Sequence, residues 1–338
     1  MAFCRRHLPV ILILADTTDP WATLLYRELR HSAATVVWIP PAQLLERVRL
    51  NWSVQSKRGI PTGFLSIDDT TVPLCELTGV FAQTPFTLSV DPEGLDPNDR
   101  EYVTKEATAA WLGLLNALPC PVMNRPLPGG RPTILSGHSI LAGLVAEHGF
   151  ELPPSLYTMS KDDAVHRFAV WKGAVYLKPV GSHEAGIYLQ PQDGVEQIKR
   201  VLEHQAVTMQ QVPDGRRVTV YVVGGNAAAT CVHSDDCSGT DFALSPVPAE
   251  SCTKLTRALG LSFAECHLVV TSGRTCCLDI SSTPAYWRCP REVRQRLISR
   301  LADGLSEPRS LLLDDSLDGL HGRSDTREHL CQTRSPEC

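Results

Sequence analysis

Apolar positions along the 338-residue chain recur with two periods, and the order of those periods suggests an architecture. The β-rich run "VILILAD" (Val10 to Asp16) predicts a central strand. Asp19-Pro20 follows as a helix N-cap with proline at the first helical position. Trp21, Leu24, Leu25 and Leu29 continue at helical spacing. "ATVVWIPP" (Ala34 to Pro41) predicts the next strand, so the chain opens with a βαβ unit, which implies a parallel sheet. "NWSV" and "GFLSID" suit a hairpin, and "LTGVFAQ" a further strand. Asp96 or Asn98 then caps an amphipathic helix with Tyr102, Val103, Ala107, Trp111, Leu114, Leu115 and Leu118 along its apolar stripe. "CPVMNRP" (Cys120 to Pro126) is a short strand leaving into "LPGGRPT", a Pro/Gly-rich stretch that marks a first domain boundary.

Beyond that boundary the pattern predicts a helix over Ser136 to His148, then a turn and strand in "GFELPPSLYT". "AVYLKPVGSHEAGIYLQ" reads as strand, Gly-containing loop, strand, and "GVEQIKRVLEH" as a helix. "VTMQQV" and "RRVTVYVVGGNAAATCVH" are strands joined by a turn at Pro213-Asp214-Gly215. A helix ending near Gly260, a hairpin in "CHLVVTSGRTCCLDIS" that turns at Ser272-Gly273, and a helix in "PREVRQRLISRLADGL" complete the periodic part. From Ser306 the chain loses periodicity and gains Ser, Arg and Asp, so a disordered tail is expected over 305–338.

Composition narrows the partners. The chain is 43% hydrophobic and 20% charged with a net charge of −5, which suits a soluble globular protein. No basic patch interleaved with aromatics points to nucleic acid. No apolar run approaches the ~20 residues that span a bilayer, so no membrane partner is expected. The apolar start after Arg5 and Arg6 mimics an export signal. It runs into Asp16 and Asp19, where a first strand fits better than a cleavage site. The 12 cysteines are scattered, with no CxxC pair and no His/Cys cluster at zinc spacing. Reduced, mostly structural thiols in a cytoplasmic protein are the expectation.

Several common motifs are missing: GxxxxGK[ST], GxGxxG after the first strand, and HExxH. "GHSIL" lacks the second glycine of a nucleophile elbow and falls within an expected helix. An ordered series remains. Lys178 ends a strand that feeds a loop with Gly181, Ser182 and Gly186, and loop amides beside an ammonium suit polyphosphate oxygens. Arg216 and Arg217 open the strand after "MQQVPDG", where alternation points one of them inward. Asp279 ends the final hairpin, and acids at strand ends suit Mg²⁺ beside bound phosphate.

Taken together, the lysine strand, the Gly loop, "MQQVPDGRRV" and "LTRALGLSFAECHLVVTSGRTCCLDISSTP" resemble the ATP-grasp superfamily over roughly residues 8 to 302. The branch in view contains ribosomal-protein glutamate ligases and microviridin-type peptide-modifying ligases. The resemblance implies an α/β and α+β fold: an N-terminal parallel-sheet (pre-ATP-grasp) domain over 1–127, then a two-subdomain ATP-grasp fold with a small subdomain over 128–207 and a C-terminal subdomain over 208–304. It implies an ATP-dependent ligase that phosphorylates a carboxylate and joins it to an amine or hydroxyl, with ATP and Mg²⁺ as cofactors. Its partner would be a small molecule or peptide carrying a carboxylate, and a homo-oligomer is compatible with it. Lys178 would contact phosphates under the Gly181–Gly186 loop, with Ser182 within it. Gln210, Gln211 and Val212 would form the adenine-side hinge. Arg217 would stabilise the transferred phosphoryl group, and Asp279 would ligate Mg²⁺. The chain departs from the family at three places. His138 stands where the family has a lysine, His267 where it has Asp, and Asp279-Ile280-Ser281 where it has Glu-x-Asn. His138 is carried as a nucleotide contact, and His267 and Ser281 as metal positions. The same departures motivate the alternative of a catalytically degenerate ATP-grasp-like binding or scaffold protein.

Overall fold

The computed structural model describes residues 8–32, 34–54, 61–83, 86, 88, 96–126, 138–182, 185–233, 239–241, 245–286 and 289–307. The expected tail falls outside them, apart from its first residues. The chain opens with β1 (Val10–Leu14), α1 (Pro20–His31) and β2 (Thr35–Ile39). A one-turn α2 (Leu44–Arg47) leads into β3 (Val48–Val54), β4 (Pro61–Ile67) and β5 (Thr70–Pro73). Then come β6 (Leu77–Ala82), the long α3 (Pro97–Ala117) and β7 (Val122–Met123). The order β2-β1-β6-β7 is parallel throughout, while β3, β4 and β5 form a separate antiparallel sheet.

The unbroken apolar run in β1 follows from burial on both faces. Leu12 and Leu14 pack with Trp111, Leu114 and Leu115 of α3. Ile11 and Ile13 pack with Leu25 and Leu29 of α1. Asp19 caps α1, its carboxylate accepting from the Ala22 amide at 2.7 Å, as the Asp-Pro signal implies. Asp96 caps α3 in the same way through the Asn98 amide.

The second half builds two antiparallel sheets. The smaller contains β8 (Ser155–Thr158), β9 (Val175–Pro179), β10 (Ile187–Tyr188) and β11 (Val207–Gln211) in the order β10-β9-β11-β8. It carries α5 (Lys161–Val170) and α6 (Gly194–Leu202) on one face. The larger has the order β14-β13-β12-β15-β16, from β12 (Arg216–Val223), β13 (Asn226–His233), β14 (Gly239–Asp241), β15 (Phe263–Val270) and β16 (Thr275–Ser281). α4 (His138–Glu147) and α7 (Pro246–Ala258) lie on its outer side, and α8 (Arg291–Ser306) ends the described chain.

α2, β5 and α5 depart from the sequence pattern, which marked no element at those places. α5 was not expected, because within "KDDAVHRFAV" only Ala164 and Phe168 are buried, too few to mark a stripe. The Pro213-Asp214-Gly215 turn joins two strands as expected, and it carries the chain between sheets: β11 pairs with β9 and β8, while β12 pairs with β13 and β15. The sheets therefore divide near 212–215 rather than at 207. α4 also sides with the larger sheet, since Val145 joins the core of Val218, Val220, Val222, Cys252 and Leu255.

Strand alternation sets what the two sheets show each other. In β9, Val175 and Leu177 point into the core of Phe168, Ile198 and Met209. Tyr176 instead joins Val269 and Leu278 of the larger sheet. A cleft between sheets, faced by alternate residues of β9, β12, β15 and β16, is the result. Cys75, Cys120, Cys252, Cys266, Cys276, Cys277 and Cys289 are free thiols. Among the described residues no helix is long and apolar enough to cross a membrane.

Candidate active site between the two sheets

Asp279 lies at the centre of the cleft. Its side chain is 3% exposed, and Lys178 Nζ donates to its Oδ1 at 2.7 Å from the opposite sheet. The Ile280 amide donates to the same oxygen at 2.8 Å. Oδ2 accepts from the Tyr176 hydroxyl at 3.0 Å and from the Gly186 amide at 3.1 Å. Burial alone would raise the Asp279 carboxyl. The charges of Lys178 and His267 and the Lys178 and Gly186 hydrogen bonds outweigh it and hold the group below the ordinary carboxylate value.

A second pair is buried beside the first. His267 lies opposite Asp279 in the β15–β16 ladder, and Glu265 opposite Ser281. His267 Nε2 stands 2.9 Å from Glu265 Oε1, with the two side chains 3% and 0% exposed, though the two atoms are not aligned as a hydrogen bond. Glu265 Oε2 accepts from the Ala285 amide at 2.6 Å. Across the sheet Thr219 Oγ1 lies 3.5 Å from His267 Nδ1. Sequence reasoning missed Glu265 and Tyr176. Their signal was the alternation itself: "AECH" places Glu265 on the face of His267, and "YLK" places Tyr176 on the face of Lys178.

The remaining expected residues surround this centre. Gly181 has φ +81°, the left-handed region that glycine enters without strain, and the Ser182 amide returns to the Pro179 carbonyl at 3.2 Å. The Arg217 guanidinium lies 4.5 Å from the centre of the Tyr188 ring, which itself stacks edge-on against Tyr176. Gln210 is buried opposite Tyr176. The Gln211 and Val212 amides bond to the Pro154 and Ala174 carbonyls where the chain passes between sheets. Ser281 Oγ is taken up by its own turn, donating to the Thr283 carbonyl at 3.1 Å. His138 opens α4, and its side chain lies outside the described residues. The structure thus brings Lys178, Gly186, Asp279, His267 and Ser281 together, with Arg217 beside them.

A polyphosphate fits these residues. Lys178 has three donors, gives one to Asp279 and stays 17% exposed at the rim of the Gly loop. Among the described residues, a divalent cation does not fit at Asp279. All four donors around Asp279 already use its oxygens, Ser281 is committed to Thr283, and His267 offers nitrogen where Mg²⁺ wants oxygen. Among the described residues, no three His, Cys, Asp or Glu side chains are grouped to hold a metal ion.

A cavity of about 340 Å³ adjoins the centre where β1, β6 and β7 end. Trp21, Phe81, Met123, Phe263 and Tyr286 give it apolar walls, and Ala185, next to Gly186, lies on the side of the ion pair. Asn124 ties its floor to the larger sheet: its amide donates to the Phe263 and Ser282 carbonyls, and its oxygen accepts from the Phe263 amide at 2.7 Å.

This arrangement, a parallel-sheet domain followed by two facing antiparallel sheets with a lysine strand and a Gly loop between them, is the ATP-grasp fold. The similarity to solved structures is extensive. Macrocyclase MdnC from Microcystis aeruginosa, bound with its precursor peptide MdnA, superposes with a TM-score of 0.64 at 13% identity, over 88% of this chain and 99% of that one. The ATP-grasp ligase PsnB, complexed with a phosphomimetic variant of its minimal precursor, Mg and ADP, gives 0.62 at 17% identity, over 88% and 98%. A RimK domain protein from Sphaerobacter thermophilus gives 0.52 at 17% identity, over 87% and 98%. No protein-family model matches the sequence, and no curated protein matches it.

Proposed function

We propose that this chain is an ATP-dependent ligase acting on a peptide, joining a carboxylate to an amine or hydroxyl through an acyl phosphate. The observation that carries the reading is the cleft itself, where the Lys178 strand and Gly loop of one sheet close over the Asp279 strand of the other. Among structures of the same fold, the ligase PsnB is complexed with a variant of its minimal precursor, Mg and ADP, and the macrocyclase MdnC is bound with its precursor peptide.

In this reading Lys178 and the amides of the Gly181–Gly186 loop hold the phosphates, with Gln210, Gln211 and Val212 along the adenine edge. Arg217 meets the charge that develops as the terminal phosphoryl group passes to the carboxylate. The peptide approaches through the apolar cavity at the end of the parallel sheet, a usual place for ligands on open α/β sheets. There an amine or hydroxyl attacks the activated carbonyl, the new bond forms and phosphate leaves. Mg²⁺, implied by the resemblance, has no ligand set among the described residues. The cytoplasm would supply both ATP and reduced thiols.

ADP release with a panel of carboxylate-bearing peptides tests the proposal. Wild-type chain should release ADP with at least one. Lys178→Ala and Arg217→Ala should each lower the rate on the order of 100-fold. Wild-type rates from Lys178→Ala would refute the assignment. The direct Lys178–Asp279 contact favours one second reading, a binding or scaffold module without turnover. Nucleotide binding with no ADP from any peptide would establish that instead.

A further inference from the structure

We infer that Asp279 anchors Lys178 rather than ligating a metal, and that this site takes the polyphosphate of a nucleotide without a divalent cation. The inference rests on the nucleotide site proposed above and concerns how that site balances charge. A site for Mg²⁺ needs uncommitted oxygens and a surplus of negative charge. Neither is present at Asp279. Two side chains and two backbone amides occupy its carboxylate, and one of the side chains is a cation 2.7 Å away. The position opposite it in the ladder, which could hold a second acid, holds His267. Of Glu265, one oxygen accepts from the Ala285 amide and the other lies 2.9 Å from His267 Nε2, so this carboxylate too faces a nitrogen base. Among the described residues, each of these two acids therefore faces a nitrogen base, which offsets the charge that would draw a cation in.

The same contacts give Asp279 a different task. Lysine is a flexible four-carbon stem, and aiming its ammonium costs side-chain entropy. Asp279 fixes one of its three donors and leaves two for other acceptors. The Tyr176 hydroxyl and Gly186 amide in turn hold Asp279, so strand β9, the Gly loop and strand β16 share one carboxylate. Asp279 is thus a positioning residue for the phosphate-binding cation, and it closes the cleft while doing so.

Binding of the non-hydrolysable analogue AMPPNP to the full chain, measured by titration calorimetry in excess EDTA and again in excess Mg²⁺, tests the metal-free site. The dissociation constants should agree within about twofold. Asp279→Asn should weaken AMPPNP equally in both buffers, at a temperature where the variant is folded. Binding that requires Mg²⁺, or a loss in Asp279→Asn confined to the Mg²⁺ buffer, overturns the inference. Binding in neither buffer overturns the metal-free polyphosphate site and the nucleotide reading with it. The anchoring role is then decided without nucleotide, by a denaturation cycle of Lys178→Met, Asp279→Asn and the double variant. Coupled partners make the double variant no less stable than the worse single one. Additive losses, or an Asp279→Asn chain more stable than wild type, overturn the anchor.

Discussion

At the scale of single residues, what the sequence reveals depends on whether a side chain acts through its type or through its surroundings. Lys178, Gly186 and Asp279 stand out in the sequence by type, a lysine, a glycine and an acid among apolar strand residues, and the structure places the three in contact, with Asp279 meeting Lys178 where a metal contact was expected. Glu265 was not legible, because a glutamate inside "FAECHLVV" looks like a solvated position until the loop at Ala285 covers it. Cys120 shows the same dependence and supports a prediction. Burial pushes its thiol up to about 11, against the opposing charge of Arg125. An unfolded thiol titrates near about 8.5. Between those values the folded chain keeps a proton that the unfolded chain has lost, so stability is whole below the lower value and drains away as pH rises towards the upper one. Urea denaturation of wild type and Cys120→Ala on either side of this window should show an extra loss on the order of 2 kcal/mol in the wild type alone. Parallel pH profiles would refute it.

At the scale of elements, the strands and long helices follow from periodicity and caps, since both are local. The elements that were missed owe their place to packing. α5 has a cap at Ser160 but only two buried residues, and it is a helix because Phe168 completes the core beneath the smaller sheet. The Gly loop between β9 and β10 divides in the same manner. Gly181 is a local requirement: its φ is +81°, and nothing lies within 4 Å of where a Cβ would stand. Gly181→Ala should therefore cost only the left-handed penalty of about 1 kcal/mol. Gly186 is a tertiary requirement, because a Cβ there would stand 2.6 Å from the Leu177 carbonyl oxygen and 2.6 Å from the Tyr176 ring. Gly186→Ala should force the loop off β9, withdraw the Gly186 amide from Asp279, cost about 1–3 kcal/mol and abolish nucleotide binding. Thermal denaturation and AMPPNP titration of the two variants together check this. Equal effects at the two glycines would contradict the close approach seen at Gly186.

At the scale of the whole molecule, the sequence order of domains conceals how they depend on each other. The first sheet is complete within the first 127 residues, yet part of the cover on its α1 face comes from the far end of the chain. Leu297, Leu301 and Leu305 of α8 join Leu25, Leu29 and Phe81 in one core, and Gly79 packs against the backbone of Leu305. No local pattern in "PREVRQRLISRLADGL" says which sheet its apolar stripe will meet, so this pairing was not legible. Asn124 adds polar ties from the end of β7 to the larger sheet, and Trp21 Nε1 donates to the Pro284 carbonyl at 2.7 Å. The cavity beside the ion pair is bounded by these same groups, so its shape depends on all parts of the chain being present. The parallel-sheet domain should therefore not stand alone. A fragment of residues 1–127 would leave Leu25, Leu29 and Phe81 uncovered on one face, an apolar surface that binds anilinonaphthalene sulfonate and melts without cooperativity. The full chain should instead melt in one transition that reports the first sheet and the ion-pair cleft together, since α8 connects them. A sharp, dye-free transition from the 1–127 fragment would show that the α1 side of the sheet is stable without α8, and that the two halves are joined by contact rather than by a common core.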